Sequence, residues 1–187
     1  MNRKRLCVYC GSRSGHSREY LEQAKLLGKK LAERSIGLVY GGAKNGLMGA
    51  VADSALACGG EVIGVIPEVI QDLEAAHQGL SEQYVVESMS ARKQKMADLS
   101  DGFIILPGGV GTYDELFEML AWSHLRVHKK ACGIYNQNGF YDSLIDFMAH
   151  AEREGFVDSH RINIFSEKTL ERLLSRFEAI LASQVSL

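Results

Sequence analysis

The residues of this sequence that could do chemistry lie between positions 92 and 115. Segment 107–115, PGGVGTYDE, places three glycines, a threonine and two carboxylates directly after the apolar run GFIIL. Glycine lets the backbone approach an anion closely, and a helix start offers unpaired N–H donors at the positive end of the helix dipole. The segment therefore favours a phosphate-bearing ligand. The alternative is a tight strand-to-helix turn that binds nothing.

Glu115 has two possible roles. The spacing Thr112-x-x-Glu115 fits a capping box, in which the glutamate accepts a hydrogen bond from the Thr112 backbone N–H at the helix start. Asp114 would complement the helix dipole in the same turn. The other role is a carboxylate that acts on a bound substrate. Glutamine can serve in a capping box but cannot act as a base, so a glutamine variant separates the two roles.

Arg92 falls within an apolar stripe formed by Met89, Met96 and Leu99 at helical spacing. A guanidinium that faces inward needs a carboxylate or a bound anion as its partner. The alternative is that its stem follows the edge of the core while its charged head reaches water. Lys93 points away from the stripe and is expected in solvent. An arginine and a carboxylate beside a phosphate cradle would suit cleavage of a phosphorylated sugar.

A parallel sheet is expected to position these residues, because apolar runs alternate with segments of helical spacing along the chain. We predict strands at 5–10, 36–40, 61–66, 83–88, 102–106, 131–135 and 162–165. We predict helices at 18–34, 46–59, 89–100, 112–125, 141–154 and 166–181, the last with Ser166 as its N-cap. The fold prediction is α/β, a single doubly wound domain over residues 1–187 with a mainly parallel sheet flanked by helices.

Prolines and glycines follow several of the predicted strands. Pro67, Pro107 and the glycine pairs at 41–42 and 108–109 all come after apolar runs. Ligands of such sheets bind beyond the carboxyl ends of the strands, so these residues should gather at one edge. Segment 41–49, GGAKNGLMG, is thus a second candidate phosphate turn. Neither turn is a familiar cofactor motif, because CGSRSG is not G-x-G-x-x-G and no G-K-[ST] is present.

Composition argues against several other classes of function. The formal net charge of −2 favours neither nucleic acid nor an anionic membrane. No apolar run spans a bilayer and the basic start lacks the apolar stretch of a signal peptide, so we predict a cytoplasmic protein. Cys7 and Cys10 should point to opposite faces of a strand, and no second C-x-x-C completes a metal site. His124 and His128 are expected to be a solvated pair at a helix end.

The combination of motifs resembles the LOG (Lonely Guy) family of cytokinin riboside 5'-monophosphate phosphoribohydrolases. Segment 107–115 fits PGGxGTxxE, and CGS at 10–12, YGGAKNGLMGAVADSAL at 40–56, GEVIGVIP at 60–67 and RK at 92–93 match as well. The resemblance implies a Rossmann-like fold and a homodimer. It also implies hydrolysis of AMP or N6-substituted AMP to free base and ribose 5-phosphate, with no metal or redox cofactor. Such proteins are often labelled lysine decarboxylases, but no lysine here lies in a recognisable pyridoxal-phosphate setting.

The resemblance also implies which residues form the site. The catalytic pair would be Arg92 and Glu115. The substrate-binding residues would be Glu74, Lys93, Gly108, Gly109, Val110, Gly111, Thr112, Tyr113 and Asp114. Two positions depart from the family pattern. Ala43 stands where many members have a third glycine, which would cost about 1 kcal/mol if the position needs a positive φ; Ala121 replaces a threonine and removes a possible polar contact.

Three function classes follow from these residues. In the enzyme, the phosphate of a nucleoside 5'-monophosphate would rest on the turn at 108–112 while Glu115 acts on the ribose. The alternative is a carrier, because molybdenum cofactor carrier proteins resemble the family around PGGxGT and would release their ligand unchanged. Arg92 together with Glu115 favours the enzyme. An NAD-dependent oxidoreductase is disfavoured by the missing glycine fingerprint.

Overall fold

All seven predicted strands form one parallel sheet in the computed structural model, which describes residues 3–68 and 76–183. The strands are β1 (Arg5–Tyr9), β2 (Gly37–Tyr40), β3 (Val62–Pro67), β4 (Glu82–Val86), β5 (Gly102–Ile105), β6 (Ala131–Tyr135) and β7 (Ile164–Glu167). Their order across the sheet is β4-β3-β2-β1-β5-β6-β7, and each neighbouring pair is parallel. The chain order reverses at β1, which lies between β2 and β5.

Helices cover both faces of this sheet. They are α1 (Arg18–Glu33), α2 (Gly46–Ala57), α3 (Met89–Asp98), α4 (Val110–His124), α5 (Asp142–Arg153) and α6 (Leu170–Ser183). Apolar side chains of α1, α2 and α6 form one core layer with the sheet, and those of α3, α4 and α5 form the other. The predicted doubly wound α/β fold is therefore confirmed.

The central strand β1 shows why the strands read as continuous apolar runs. Leu6 and Val8 pack on the side of α1 and α2, whereas Cys7 and Tyr9 pack on the side of α3 and α4. Residues alternate between faces along a strand, and both faces are buried here, so no polar alternation remains. Cys10 joins the layer of Leu6 and Val8, which confirms that the two cysteines of the C-x-x-C lie on opposite faces.

Two helix starts differ from the prediction. Ser166 is not an N-cap, because β7 continues through Glu167 in register with β6 and α6 begins only at Leu170. Thr169 takes the capping position, and its Oγ1 accepts a hydrogen bond from the Arg172 N–H at 3.4 Å. Pairing with a buried neighbouring strand outweighs the local capping preference of Ser166. The second difference is that α4 begins at Val110, two residues before Thr112.

The segment after α4 also corrects the predicted histidine pair. The helix ends at His124, so His128 lies beyond it. His128 packs against the rings of Phe103 and Trp122, with centroid distances of 5.4 and 6.5 Å. Burial lowers the pKa of His128, and the nearby charge of Lys130 lowers it further. It is a partly buried neutral ring rather than a solvated one.

Within residues 3–68 and 76–183, the helices are all too short or too polar to cross a bilayer.

Candidate active site

A cavity of about 540 Å³ opens at the carboxyl edge of the sheet, where the chain order reverses. Its walls come from the loop after β1, the turn after β5 with the first turns of α4, and the inward face of α3. A volume of this size suits a small-molecule ligand, and switch points of parallel sheets are where such ligands bind. The topology therefore places a ligand-sized space beside the segment that the sequence singled out.

The turn after β5 leaves the start of α4 open to this cavity. Gly109 is the N-cap, and because glycine has no side chain it provides no capping bond. The Tyr113 N–H donates to the Gly109 carbonyl at 3.0 Å, and the N–H groups before it precede the intrahelical pattern. A Cβ placed on Gly109 or Gly111 would meet no atom within 4 Å. Packing does not require glycine at these two positions. The missing side chains leave the backbone N–H groups at the start of α4 accessible.

Glu115 lies on the inward face of α4, in line with Thr112, Leu116 and Met119. The helix starts too early for Thr112 to be its N-cap, so the predicted capping box is wrong. Glu115 is only 8% exposed, and it lines the cavity. Of the two roles considered for Glu115, this position fits a carboxylate that faces a ligand.

Arg92 faces inward, as its place in the apolar stripe predicts, and is 5% exposed. Its Nε donates to the Val65 carbonyl at 3.2 Å and its Nη2 to the Gly41 carbonyl at 3.0 Å. Among the residues that the structure describes, this guanidinium bonds to two backbone carbonyls, one just after β2 and one within β3. These two bonds fix the charged group in the cavity wall.

The second candidate phosphate turn, at 41–49, has a different role from the one predicted. A Cβ on Gly41 would overlap the Arg92 guanidinium, so the close approach of that side chain requires glycine. Leu47 and Met48 line the cavity, whereas Gly41 and Gly42 are not among its lining residues. This turn therefore holds the arginine, and the turn after β5 faces the cavity.

The charges of Arg92 and Glu115 converge on one buried thiol. Burial raises the pKa of Cys10 well above its ordinary value, the Glu115 carboxylate raises it further and the Arg92 guanidinium opposes this. Both side chains therefore lie within electrostatic reach of Cys10, which itself lines the cavity. The thiol stays protonated near neutral pH and is not a nucleophile. Across the part of the chain that the structure describes, no group of three or more His, Cys, Asp and Glu side chains is arranged to hold a metal ion.

Lys93 lies beside the cavity but is not solvated as expected. Its side chain is 11% exposed, and its Nζ pairs with Asp114 at 3.0 Å and with Glu118 at 2.8 Å. Burial alone would lower the pKa of Lys93, but hydrogen bonds to the two carboxylates outweigh it and raise the pKa. The charged lysine thus joins α3 to α4. Lys93 follows Arg92 in the sequence, and its partner Asp114 precedes Glu115.

The structure brings most of the proposed site residues together. The lining residues among them are Arg92, Gly108, Gly109, Val110, Gly111, Thr112, Asp114 and Glu115. Lys93 and Tyr113 do not line the cavity, and Glu74 lies outside the described residues. Ala43 carries no left-handed strain, because the positive φ values of that turn, 79° and 61°, fall on Gly42 and Gly46. Ala121 is exposed on α4 and does not line the cavity.

The loop at 10–15 is the part of the site that sequence reasoning missed as a cavity wall. The Gly11 N–H donates to the Pro107 carbonyl at 3.1 Å, and the Gly11 carbonyl accepts from the Leu47 N–H at 3.1 Å, so this loop joins the other walls. It brings Arg13 to the cavity. CGSRSG was set aside because it is not a dinucleotide fingerprint. The position of this loop directly after the central strand is the feature of the sequence that could have indicated its role.

Comparison with known proteins identifies the family. A family model described as "Possible lysine decarboxylase" matches residues 48–175. A cytokinin riboside 5'-monophosphate phosphoribohydrolase from Rhodococcoides fascians is 48% identical over 155 residues, covering 82% of this chain and 78% of the relative. The LOG phosphoribohydrolase of Oryza sativa is 44% identical over 177 residues, covering 94% of this chain and 73% of the relative. The chain belongs to the LOG family.

Solved structures confirm the Rossmann-like fold of this LOG-family chain. The molybdenum cofactor carrier protein of Chlamydomonas reinhardtii superposes with a TM-score of 0.73 at 20% identity, covering 97% of this chain and 99% of that one. A molybdenum cofactor binding protein from Rippkaea orientalis gives 0.73 at 19% identity with the same coverage. At such identities the likeness shows a shared fold alone, whereas the phosphoribohydrolases match at more than twice that identity.

Proposed function

We propose that this chain hydrolyses the N-glycosidic bond of AMP or of an N6-substituted AMP, giving the free base and ribose 5-phosphate. The observation that carries the proposal is the meeting of Arg92, Glu115 and the open start of α4 in one cavity. The 48% and 44% identities to named phosphoribohydrolases support it. The same cavity is large enough for a nucleotide, and its walls supply both a cation and a carboxylate.

The substrate phosphate would bind at the start of α4. Gly109, Val110, Gly111 and Thr112 line the cavity there, and the positive end of the helix dipole favours an anion. Gly109 and Gly111 leave the N–H donors of this turn uncovered. Anchoring the phosphate at this point fixes the ribose over the second turn of the helix, where Glu115 lies.

Glu115 would act on the reacting ribose carbon. Cleavage of the C1'–N9 bond passes through an oxocarbenium-like state, and a carboxylate stabilises that positive charge or orients the attacking water. The bonding electrons leave with the base, which takes up one proton, and the water supplies the hydroxyl at C1'. Arg92 is held by two carbonyls and has further N–H donors for the phosphate or the ribose.

An assay of the purified protein tests the proposal. AMP, N6-isopentenyl-AMP, adenosine and CMP are incubated separately with the protein, and free base is followed by chromatography. We expect base from the purine monophosphates and none from adenosine, because the phosphate anchor is essential. The ratio of the two purine rates ranks the substrates. Nucleotides that bind but stay intact would overturn the hydrolase and favour a carrier.

We also propose a homodimer formed through α4. Val110, Tyr113, Phe117 and Leu125 recur every three to eight residues along this helix, and Val110 and Leu125 are 83% and 69% exposed. Such an apolar stripe at helical spacing suits a partner helix. Light scattering during gel filtration should give twice the chain mass, and Phe117→Glu should give the monomer. A wild-type monomer would refute this arrangement. The cytoplasmic location stays a prediction.

A further inference from the structure

A second cavity, of about 450 Å³, lies at the opposite edge of the sheet from the active site. It is formed by the loop that leads from α4 into β6 and by the loop that leads into β7. Both loops meet the amino ends of their strands, whereas the active-site cavity lies at the carboxyl ends. The two cavities share no lining residue, and a ligand in one is separated from the other by the length of the strands.

The lining of this second cavity is strongly basic. Arg126, Lys129, His160 and Arg161 line it, and among the residues that the structure describes no aspartate or glutamate does. Asp158, just outside, pairs with the Arg161 Nε at 3.0 Å, and both side chains are about half exposed. That pair is weakened by solvent and removes only part of one charge. A net charge of about +2 or more remains around a small volume.

Hydrogen bonds between the two loops hold the cavity open in this shape. The Ser123 hydroxyl, itself buried, donates to the Arg161 carbonyl at 3.3 Å and accepts from the Asn163 N–H at 3.4 Å. The Asn163 side chain donates to the Lys129 carbonyl at 3.3 Å. The cationic side chains thus project from a connected frame and not from two independent loops, which reduces the ordering cost of binding.

The backbone at Arg126 gives a further reason to look for a ligand. The Val127 N–H donates to the Trp122 carbonyl and the Arg126 N–H to the Ser123 carbonyl, at 2.9 and 3.0 Å. This is a Schellman ending, in which glycine commonly takes the left-handed position. Arg126 takes it here, with φ of 62°. The local backbone conformation favours glycine at this position. The arginine therefore contributes only through its side chain, which carries the guanidinium, and Arg126 lines the cavity.

Complementing the negative end of the α4 dipole is a competing explanation for these cations. It accounts for Arg126 and Lys129, which follow that helix directly. It does not account for His160 and Arg161, which reach the same space from a different loop. His128 forms part of the wall without adding charge, because the Lys130 N–H donates to its Nδ1 at 3.2 Å and burial keeps the ring neutral.

We propose that this second cavity binds a small anion carrying two or more phosphoryl groups, either free polyphosphate or the phosphate chain of a nucleotide. Several cations from two loops converge on a volume that a single phosphate would not fill. Guanidinium groups bind phosphate oxygens in pairs, which suits a chain of phosphoryl groups. The proposal does not depend on the reaction at the other edge of the sheet.

Calorimetric titration of the full chain with sodium tripolyphosphate in 0.15 M salt tests this site. We expect Arg126→Gly to weaken binding about tenfold, since a charge-assisted contact is lost. Glycine also relieves the left-handed backbone, so the variant should be no less stable and weaker binding cannot come from unfolding. Lys129→Gln should act in the same direction. Lys29→Gln, which removes an exposed lysine on α1, is the control and should change nothing.

Three results with tripolyphosphate would overturn the proposal. They are the absence of binding to the wild type, binding that survives both Arg126→Gly and Lys129→Gln, and equal weakening by Lys29→Gln. Inorganic phosphate should bind at least about tenfold more weakly than tripolyphosphate, and equal affinity would contradict a polyphosphate site. A parallel titration with ATP separates the two sources. ATP binding that is tighter and that Arg126→Gly weakens assigns the site to a nucleotide, and equal affinity assigns it to the phosphate chain alone.

Discussion

The turns after β2 and β5 both carry a glycine pair, but they contribute differently to the site. Both follow a buried parallel strand, both contain consecutive glycines, and both lead into a helix at the same edge of the sheet. In the first, the space beside Gly41 is filled by the Arg92 guanidinium. In the second, the space beside Gly109 and Gly111 is open and forms part of the cavity.

This difference teaches how to interpret glycine in such turns. Glycine next to an internal side chain is a packing requirement, whereas glycine next to open space keeps backbone donors available to a ligand. The sequence shows only that a side chain is missing and not what occupies its place. The two turns therefore need different tests, and substitutions in and beside each turn separate their roles.

The largest expected effect comes from Glu115, which follows the open turn. Glu115→Gln keeps the size of the side chain but removes the carboxylate, so we expect kcat to fall about 10³-fold while the protein folds normally. Glu118→Gln is the matched control, because Glu118 lies on the same helix, pairs with Lys93 and does not line the cavity. Base release from AMP gives kcat, and circular dichroism reports folding. Full activity of Glu115→Gln would defeat the proposed mechanism.

The filled turn should affect catalysis through the arginine it holds. Arg92→Ala should lower kcat by no more than the loss of about 10³-fold expected for Glu115→Gln. Gly41→Ala should lower kcat about 100-fold with a smaller change in KM, because its Cβ displaces a guanidinium that must be placed to within about 1 Å. Arg92→Lys keeps the charge without the two carbonyl bonds and should resemble Gly41→Ala. If Gly41→Ala folds and retains wild-type kcat, the turn does not position Arg92.

The open turn should affect binding and leave the fold intact. Gly109→Ala meets no neighbouring atom, so the free energy of unfolding should fall by at most about 1 kcal/mol. The added methyl lies beside the donors proposed to hold the phosphate, so KM for AMP should rise about tenfold. Steady-state kinetics and urea unfolding measure the two quantities. An unchanged KM would mean that the phosphate binds elsewhere.

The smallest expected effect is at Ala43, which follows the glycines of the filled turn. Its φ is not positive, so glycine would relieve no strain there and would only add freedom to the unfolded chain. Ala43→Gly should therefore lower the free energy of unfolding by about 0.4–1 kcal/mol. Urea unfolding measures it. A more stable variant would show that alanine is poorly tolerated at this position.

Local patterns predicted the elements but not all of their ends. The strands follow from apolar runs buried on both faces, and Arg92 was expected to face inward because it interrupts a stripe of methionines and leucine. The start of α4 was misplaced because Thr112 and Glu115 fit a capping box that Gly109 supersedes. Ser166 was misplaced because strand pairing with β6 outweighs a local cap.

The contacts that complete the site could not be predicted from spacing. The partners of Arg92 are carbonyls of residues 27 and 51 positions away, and carbonyls leave no mark in a sequence. The loop at 10–15 carries no cofactor fingerprint and becomes a wall of the cavity because β1 lies beside β5. The partners of Arg92 and the position of this loop depend on tertiary structure. They become visible only when the order of the strands in the sheet is known.

The pairing of β1 with β5 also sets when the site can exist during folding. The pairing runs from Leu6 with Gly102 to Tyr9 with Ile105, and the Gly11–Pro107 hydrogen bond just beyond its end joins two walls of the cavity. Closing so long a loop costs chain entropy before any contact offsets it, and such pairings form late. A refolding chain can therefore regain its helices while it still has no cavity. Recovery of activity reports the closure of the sheet's centre, and helical signal does not.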